Sequence, residues 1–358
     1  MSEKKIYSIQ NNVTFFGRTA KTENCDAVYF NWSGSGFAFR FSGTAASVRL
    51  LSGVNGEEPR EQDFIGYVGV YIDNIPYEIS RFAVNQKDGW YVAVEHIPHG
   101  EHTVYVVKET EAPHGRAAVL ELECDGELLS PPVLPTKRIE FIGDSITCGY
   151  GNICSVNTSE FVTREENFSQ TFAAVACRIL DAVPTTVAVS GNGFFHTYDC
   201  NTHNIIPELY KYTDKFLHEH CGQKPEKWDF AKDKCDAVVV KLGQNDAQYC
   251  IGADLPTEDR TNEIIKKRRK QFCNAAEDFL RDIRKYRPNT PMILIYESDM
   301  YLKDEVMSAA EKSDCNIHLL EISPKRPHES VGANGHFSVY THTRVGMIVA
   351  QKLTDILC

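Results

Sequence analysis

Lys137-Arg138-Ile139-Glu140-Phe141-Ile142-Gly143-Asp144-Ser145-Ile146-Thr147 is a short apolar run that stops at a glycine, an acid and a hydroxyl. Ile139, Phe141 and Ile142 read as a strand, and the residues that follow read as the turn that ends it. In an open α/β sheet, ligands bind at the carboxyl ends of the strands, so a serine delivered there faces a crevice. Taken alone, Gly-Asp-Ser is also an ordinary turn, with glycine for backbone freedom and Asp and Ser to bond it. The rest of the chain decides between the two.

From residue 136 onward, strands alternate with helices. Strand patterns cover 139–142, 185–189, 237–242, 292–296 and 317–322. Helical patterns cover 168–180, 261–286, a shorter stretch at 305–312 and a last one at 338–356, with Val345, Ile348, Val349 and Leu353 on one face. Five short apolar strands interleaved with helices predict a doubly wound parallel sheet covered on both sides. No internal repeat or low-complexity segment interrupts it.

Before this lies about a third of the chain in a different grammar. Gly36–Phe41, Ala46–Leu50, Gly69–Asp73, His102–Val107 and Ala118–Leu122 alternate apolar with polar or small residues, and turns are expected at Gly53–Gly56 and His99–Glu101. Many short strands without a helical period predict an all-β sandwich or jelly roll. Ser130-Pro131-Pro132-Val133-Leu134-Pro135 cannot continue a sheet, so the expected division is 1–134 and 135–358.

Composition narrows the function classes. The 358 residues carry a net charge of −11, which disfavours a nucleic-acid or anionic-membrane surface and suits a neutral substrate. The basic run Lys266–Lys270 lies in a helical pattern among acids and is expected to be a solvated face. No apolar stretch approaches a membrane span, and Met1–Lys5 leads into polar sequence, so a cytoplasmic protein is expected. Twelve cysteines without a CxxC pair agree with reduced thiols.

Three further stretches join the Ser145 turn. Val189-Ser190-Gly191-Asn192-Gly193 is a glycine-rich loop whose amides can approach a ligand. Leu242-Gly243-Gln244-Asn245-Asp246 sets an amide side chain after an apolar run, and Gly332-Ala333-Asn334-Gly335-His336 precedes the last helix. Ser, Gly, Asn and His at strand ends supply a nucleophile, two oxyanion donors and a base.

These four blocks, in order, resemble the SGNH (GDSL-like) hydrolases, with Ser145, Gly191, Asn245 and His336 at the matching positions. The fuller stretch 139–152, IEFIGDSITCGYGN, after a β-domain of about 130 residues, looks more narrowly like carbohydrate esterase family 2. That resemblance implies an N-terminal jelly roll, an SGNH catalytic domain and removal of acetyl groups from polysaccharides such as xylan and glucomannan. It implies acyl transfer from Ser145 with His336 as base. The oxyanion would be held by the amides of Ser145 and Gly191 and the side chain of Asn245, with no metal or organic cofactor. The partner would be an acetylated oligosaccharide. A non-catalytic carbohydrate-binding protein, or a lipid or thioester esterase on the same fold, are the alternatives.

One position departs from the superfamily pattern. The acid usual three residues before the histidine is Ala333 here, and Asn334 carries no charge. A Ser–His dyad is expected, its imidazole oriented by a backbone carbonyl or an amide oxygen. His342, six residues later, is the alternative base, Tyr249 a candidate for the sugar site, and Asp144 a bonding partner for the loops. His196, Cys200 and His203, and the run His218-Glu219-His220-Cys221, are rich in metal-ligand types but match no closed zinc pattern.

Overall fold

The computed structural model describes residues 4–23, 25–53, 64–73, 75–154, 162–313, 315–324, 326 and 329–357. The turn expected at Gly53–Gly56 lies, beyond Gly53, outside these. The N-terminal part is a sandwich of two antiparallel sheets. One is built on Ala118–Cys124, flanked by Lys5–Ser8 and Ala46–Leu51. The other is built on Gly36–Gly43 and Gly100–Lys108. Alternation does the work: Phe37, Phe39 and Phe41 point inward with Val104 and Val106 and are fully buried.

The sandwich's last strand, Glu127–Leu129, leads through the proline-rich link to a parallel sheet. Its strands are β1 (Lys137–Gly143), β2 (Ala182–Ala188), β3 (Ala237–Lys241), β4 (Met292–Glu297) and β5 (Ile317–Ile322). They lie in the order β2-β1-β3-β4-β5. Ile139 and Phe141 face one layer, formed by helices Phe172–Leu180 and Val339–Leu357, while Ile142 faces the other, formed by Asn262–Tyr286 and Lys303–Ser313. Burial on both faces explains the unbroken apolar run Val238-Val239-Val240 of β3.

The helix expected over 168–180 is broken. Phe168–Gln170 is a 3-10 turn, and the α-helix starts only at Phe172, because the Thr171 hydroxyl accepts the Ala174 N–H and caps it there. The basic run sits on the outer side of its helix, with Arg268 paired to Asp254 and Arg269 to Glu305.

The two parts share a polar seam. Arg18 of the sandwich is buried and donates to the carbonyls of Tyr210 and Tyr212, 2.7 Å each, and to Glu140 of β1 at 3.2 Å. Arg287 and the Tyr210 hydroxyl hold the other Glu140 oxygen. Trp32, fully buried, donates to the Thr213 carbonyl at 2.8 Å, and Asn31 to Asp214 at 2.7 Å. Among the described residues, no helix is long and apolar enough to cross a membrane.

Candidate active site

Strand order reverses beside β1, since β2 lies on one side and β3 to β5 on the other. The loops leaving β1 and β3 therefore diverge and open a crevice. Gly143 is in register with Ala188 of β2 and Lys241 of β3, so the three loops start from one row. A Cβ at Gly143 would lie 2.1 Å from the Thr147 Oγ1 and 2.8 Å from the Lys241 carbonyl, so only glycine lets the chain turn so tightly. Asp144 then caps the short helix Ser145–Cys148 through the Ile146 N–H, and Gly149 closes it at φ 95°. Ser145 is thereby fixed at the first helical position.

His336 arrives from the opposite direction, just ahead of the last helix. Its Nε2 lies 2.8 Å from the Ser145 Oγ, and its Nδ1 donates to the Ala333 carbonyl at 2.9 Å. The bridge is made by the tight turn 333–335, in which Asn334 adopts a left-handed φ of 51°. The Asn334 side chain donates to the Tyr150 hydroxyl at 2.8 Å, and the Tyr150 ring stacks on the imidazole with centres 4.3 Å apart. Burial lowers the His336 pKa below its ordinary value, and the nearby Lys241 charge adds to this. The Ala333 carbonyl and the charge of Asp144 oppose it. A neutral imidazole with its Nδ1 proton committed to a carbonyl presents Nε2 as an acceptor to the serine hydroxyl.

The loop after β2 completes the site. Gly191 has φ 76°, a conformation that favours glycine. Asn245 donates one amide hydrogen to the Asn192 carbonyl at 2.8 Å, which joins the loops after β2 and β3. Asp246 is buried and takes the N–H groups of Phe194, Phe195 and His196 at 2.7–2.9 Å; burial pushes its pKa up to about 7 despite these bonds. A Cβ at Gly193 would meet its Oδ2 at 2.2 Å. The loop is clasped from beneath by the residue that follows Asn245.

Other candidates go elsewhere. His342 is buried on the last helix, where its Nδ1 accepts the Phe172 N–H at 3.2 Å, and burial drives its pKa down to about 3. It packs the helix pair and does not reach Ser145. Glu329, within reach in sequence, is claimed by Arg344 and Thr341, and Arg344 holds its pKa at about 2. Asp144, expected to hold the loops together, bonds within its own turn instead, and its charge acts on His336 and Lys241. Tyr249 is taken up by packing. His196 lies parallel to it with ring centres 3.6 Å apart, the Arg268 guanidinium lies 4.2 Å from its centre, and its hydroxyl donates to Gln271. A ring packed in this way has little face left for a sugar, whereas Tyr198, beside Gly191, is 60% exposed.

Neither histidine-rich run gathers into a metal-ligand cluster among the described residues: His196 stacks on Tyr249, and His218 donates to the Asp214 carbonyl. One cluster is present that the sequence did not suggest. Glu111, Cys148 and Glu166, all buried, bring three potential ligand atoms within 4.8 Å of one another. The buried Lys108 ammonium interacts with both carboxylates, so the chain supplies positive charge there itself, and burial pushes the Glu166 pKa well up. These residues, and Asp246, Asn192 and Tyr150, were not singled out by sequence. The Asp that directly follows the motif asparagine was the one available signal.

The family model of the carbohydrate esterase 2 N-terminal domain matches residues 15–132. The chain is 28% identical over 334 residues to a cellulase/esterase of Acetivibrio thermocellus, covering 90% of this chain and 36% of that protein. It is also 28% identical over 211 residues to an acetylxylan esterase/glucomannan deacetylase of Cellvibrio japonicus, covering 58% and 56%. The chain thus spans between about a third and just over half of these relatives' length. In fold it matches a family two carbohydrate esterase from Clostridium thermocellum in complex with cellohexaose, at TM-score 0.79 and 24% identity over 96% of this chain and 99% of that one. An acetyl xylan esterase from the rumen bacterium Butyrivibrio proteoclasticus matches at TM-score 0.83 and 21% identity, covering 99% of both chains. With a match to that family's N-terminal domain over residues 15–132, a sandwich joined to a parallel sheet, and the four SGNH blocks at one end of that sheet, the chain is similar to carbohydrate esterase family 2.

Proposed function

We propose that the chain is a carbohydrate O-acetylesterase acting on acetylated hemicellulose oligosaccharides of the xylan or mannan type. On this reading, residues 1–134 are the sandwich domain and 135–358 the catalytic domain. The observation that carries the proposal is the Ser145 Oγ to His336 Nε2 contact of 2.8 Å, with the other ring nitrogen held by a carbonyl. His336 takes the hydroxyl proton as the Ser145 oxygen attacks the acetyl carbonyl. The amides of Ser145 and Gly191 and the free hydrogen of the Asn245 amide receive the oxyanion. The tetrahedral intermediate collapses, the protonated imidazole returns the proton to the departing sugar hydroxyl, and an acetyl-serine remains. Water, deprotonated by the same histidine, then releases acetate. The chemistry needs no metal or organic cofactor.

The relatives named as acetylxylan esterase and glucomannan deacetylase support the choice of substrate. Release of acetate from acetylated xylo- and manno-oligosaccharides, followed by NMR mapping of the hydroxyl freed, tests it. Preference for long acyl chains or thioesters would point instead to a lipid or thioester esterase. Failure to hydrolyse even a chromogenic acetyl ester would leave a binding protein.

A further inference from the structure

The sandwich reaches into the catalytic domain with one carboxylate. Glu111 follows the strand Gly100–Lys108 and is fully buried. Its Oε2 accepts the Ser190 N–H at 2.7 Å and lies 4.0 Å from the Cys148 thiol, the last residue of the helix that Ser145 begins. One oxygen from the N-terminal domain therefore touches the loops after β1 and β2 together. Its own segment is anchored: the Lys108 ammonium donates to the Thr110 carbonyl and hydroxyl at 2.8 and 2.7 Å, and the adjacent Glu109 holds the N–H and hydroxyl of Ser169 at 2.8 Å each.

Ser190 immediately precedes Gly191, and the Asn192 carbonyl is bonded by Asn245. The three-residue stretch carrying the Gly191 amide is thus tied at one end by Glu111 and at the other by Asn245. We propose that Glu111 is a positioning residue for the reaction. Its carboxylate sets the direction of the Gly191 N–H by holding Ser190, so the β-sandwich is part of the oxyanion machinery. This rests on the esterase reading above. A donor that must meet a developing oxyanion tolerates little displacement, and an error of about 1 Å in such a site costs on the order of a hundredfold.

Two features of Glu111 can be separated by substitution. Glu111→Gln keeps the length and an accepting oxygen but removes the charge. Glu111→Asp keeps the charge but falls one methylene short of Ser190, and Glu111→Met keeps the length without any acceptor. The expected result on a chromogenic acetyl ester is a loss in kcat of about tenfold to a hundredfold for the Asp and Met variants. KM should stay within about twofold and the Gln variant within about threefold of wild type. The Ki of methylboronic acid, which forms a tetrahedral adduct on Ser145, should rise in parallel with the loss in kcat. That readout does not respond to a change in stability alone. An active Asp variant beside a crippled Gln variant would show that the charge near Lys108 matters, and would overturn the proposal. So would a kcat loss with no change in Ki. If the Asp variant fails to fold, the Met variant makes the same test. A wild-type protein that hydrolyses no acetyl ester sinks the esterase reading and this assignment with it. An active wild type with unaffected Asp and Met variants sinks the assignment alone.

Discussion

The Nδ1 of His336 donates to the carbonyl of Ala333, three residues earlier, at 2.9 Å, where an SGNH hydrolase more often carries an acid at that place in sequence. A carbonyl selects the same tautomer as a carboxylate, leaving Nε2 free to accept, but gives the imidazolium less electrostatic support. The burial of the ring then dominates and holds its pKa low.

The sign of the pH dependence follows. A general base works only when neutral, so activity is lost as pH falls through the His336 pKa. With that pKa lowered, the acid limb of kcat/KM should have its midpoint below about 6.5, the ordinary imidazole value. Asp144→Asn keeps the helix cap but removes a charge that raises this pKa, so the limb should move further toward acid. A limb at or above 6.5 in wild type, or a shift to higher pH in the variant, would contradict the assignment.

Ser145→Ala should reduce kcat on the order of 10⁶-fold while leaving the melting transition in place, because members of one catalytic unit fail together. His336→Ala should be nearly as severe. Residual activity above a few per cent in rigorously purified protein would move the nucleophile elsewhere.

Asn245→Ala removes a donor and also releases the Asn192 carbonyl. Removal of one oxyanion donor costs about 10²–10³ in kcat, or roughly 3–4 kcal/mol. KM should change much less. A raised KM with intact kcat would make Asn245 a ground-state binding residue.

His342→Ala should injure stability and spare chemistry. The Phe172 N–H would lose its acceptor, a cost of about 1–3 kcal/mol in a buried place. In the folded protein this histidine has a pKa of about 3, against about 6.5 unfolded. Its contribution is therefore complete above pH 6.5 and is lost as pH falls from there toward 3, since the unfolded chain binds the proton more readily. Urea midpoints measured across that range should fall less steeply in the variant than in wild type, with kcat of the folded enzyme within a fewfold.

Neither Glu329 nor Asn334 should behave as a catalytic acid. Glu329 is engaged with Arg344 and Thr341, and Asn334 bonds Tyr150. Glu329→Gln and Asn334→Ala should each lower kcat by less than about tenfold, the scale of 1.4 kcal/mol. A loss near 10⁴ at Glu329, with the fold kept, would reveal a complete triad, and one at Asn334 would make its amide essential to holding the imidazole.

The sheet could be read in advance because a doubly covered strand leaves a strong trace: Val238-Val239-Val240 and Ile139 to Ile142 allow few other interpretations. The four motif blocks could be placed in the fold because each sits at a strand end or just before a helix. That a backbone carbonyl or an amide oxygen would orient His336 followed from the missing acid; which one did not, because any residue offers a carbonyl and Ala333 announces nothing. The packing of Tyr249 could not be read in detail because its stacking partners, His196 and Arg268, lie 53 and 19 positions away in sequence and only the fold stacks them on its ring. Glu111 was invisible for the same reason, since it meets Ser190 from another domain, 79 positions away.

Glu140 shows what the seam means for inheritance. The acid at the centre of the motif strand is shared between Arg18, Arg287 and Tyr210, so losing the sandwich strips it of one of its two guanidinium partners. Breaking a buried pair outright costs about 3–5 kcal/mol, and a C-terminal part cut away at residue 135 would suffer a share of that, softened by Arg287. Such a fragment should be recovered aggregated or not at all, unlike a tethered binding module that can be shed or traded. Recombination between relatives would have to move both halves together, or replace Arg18 and Glu140 in the same step.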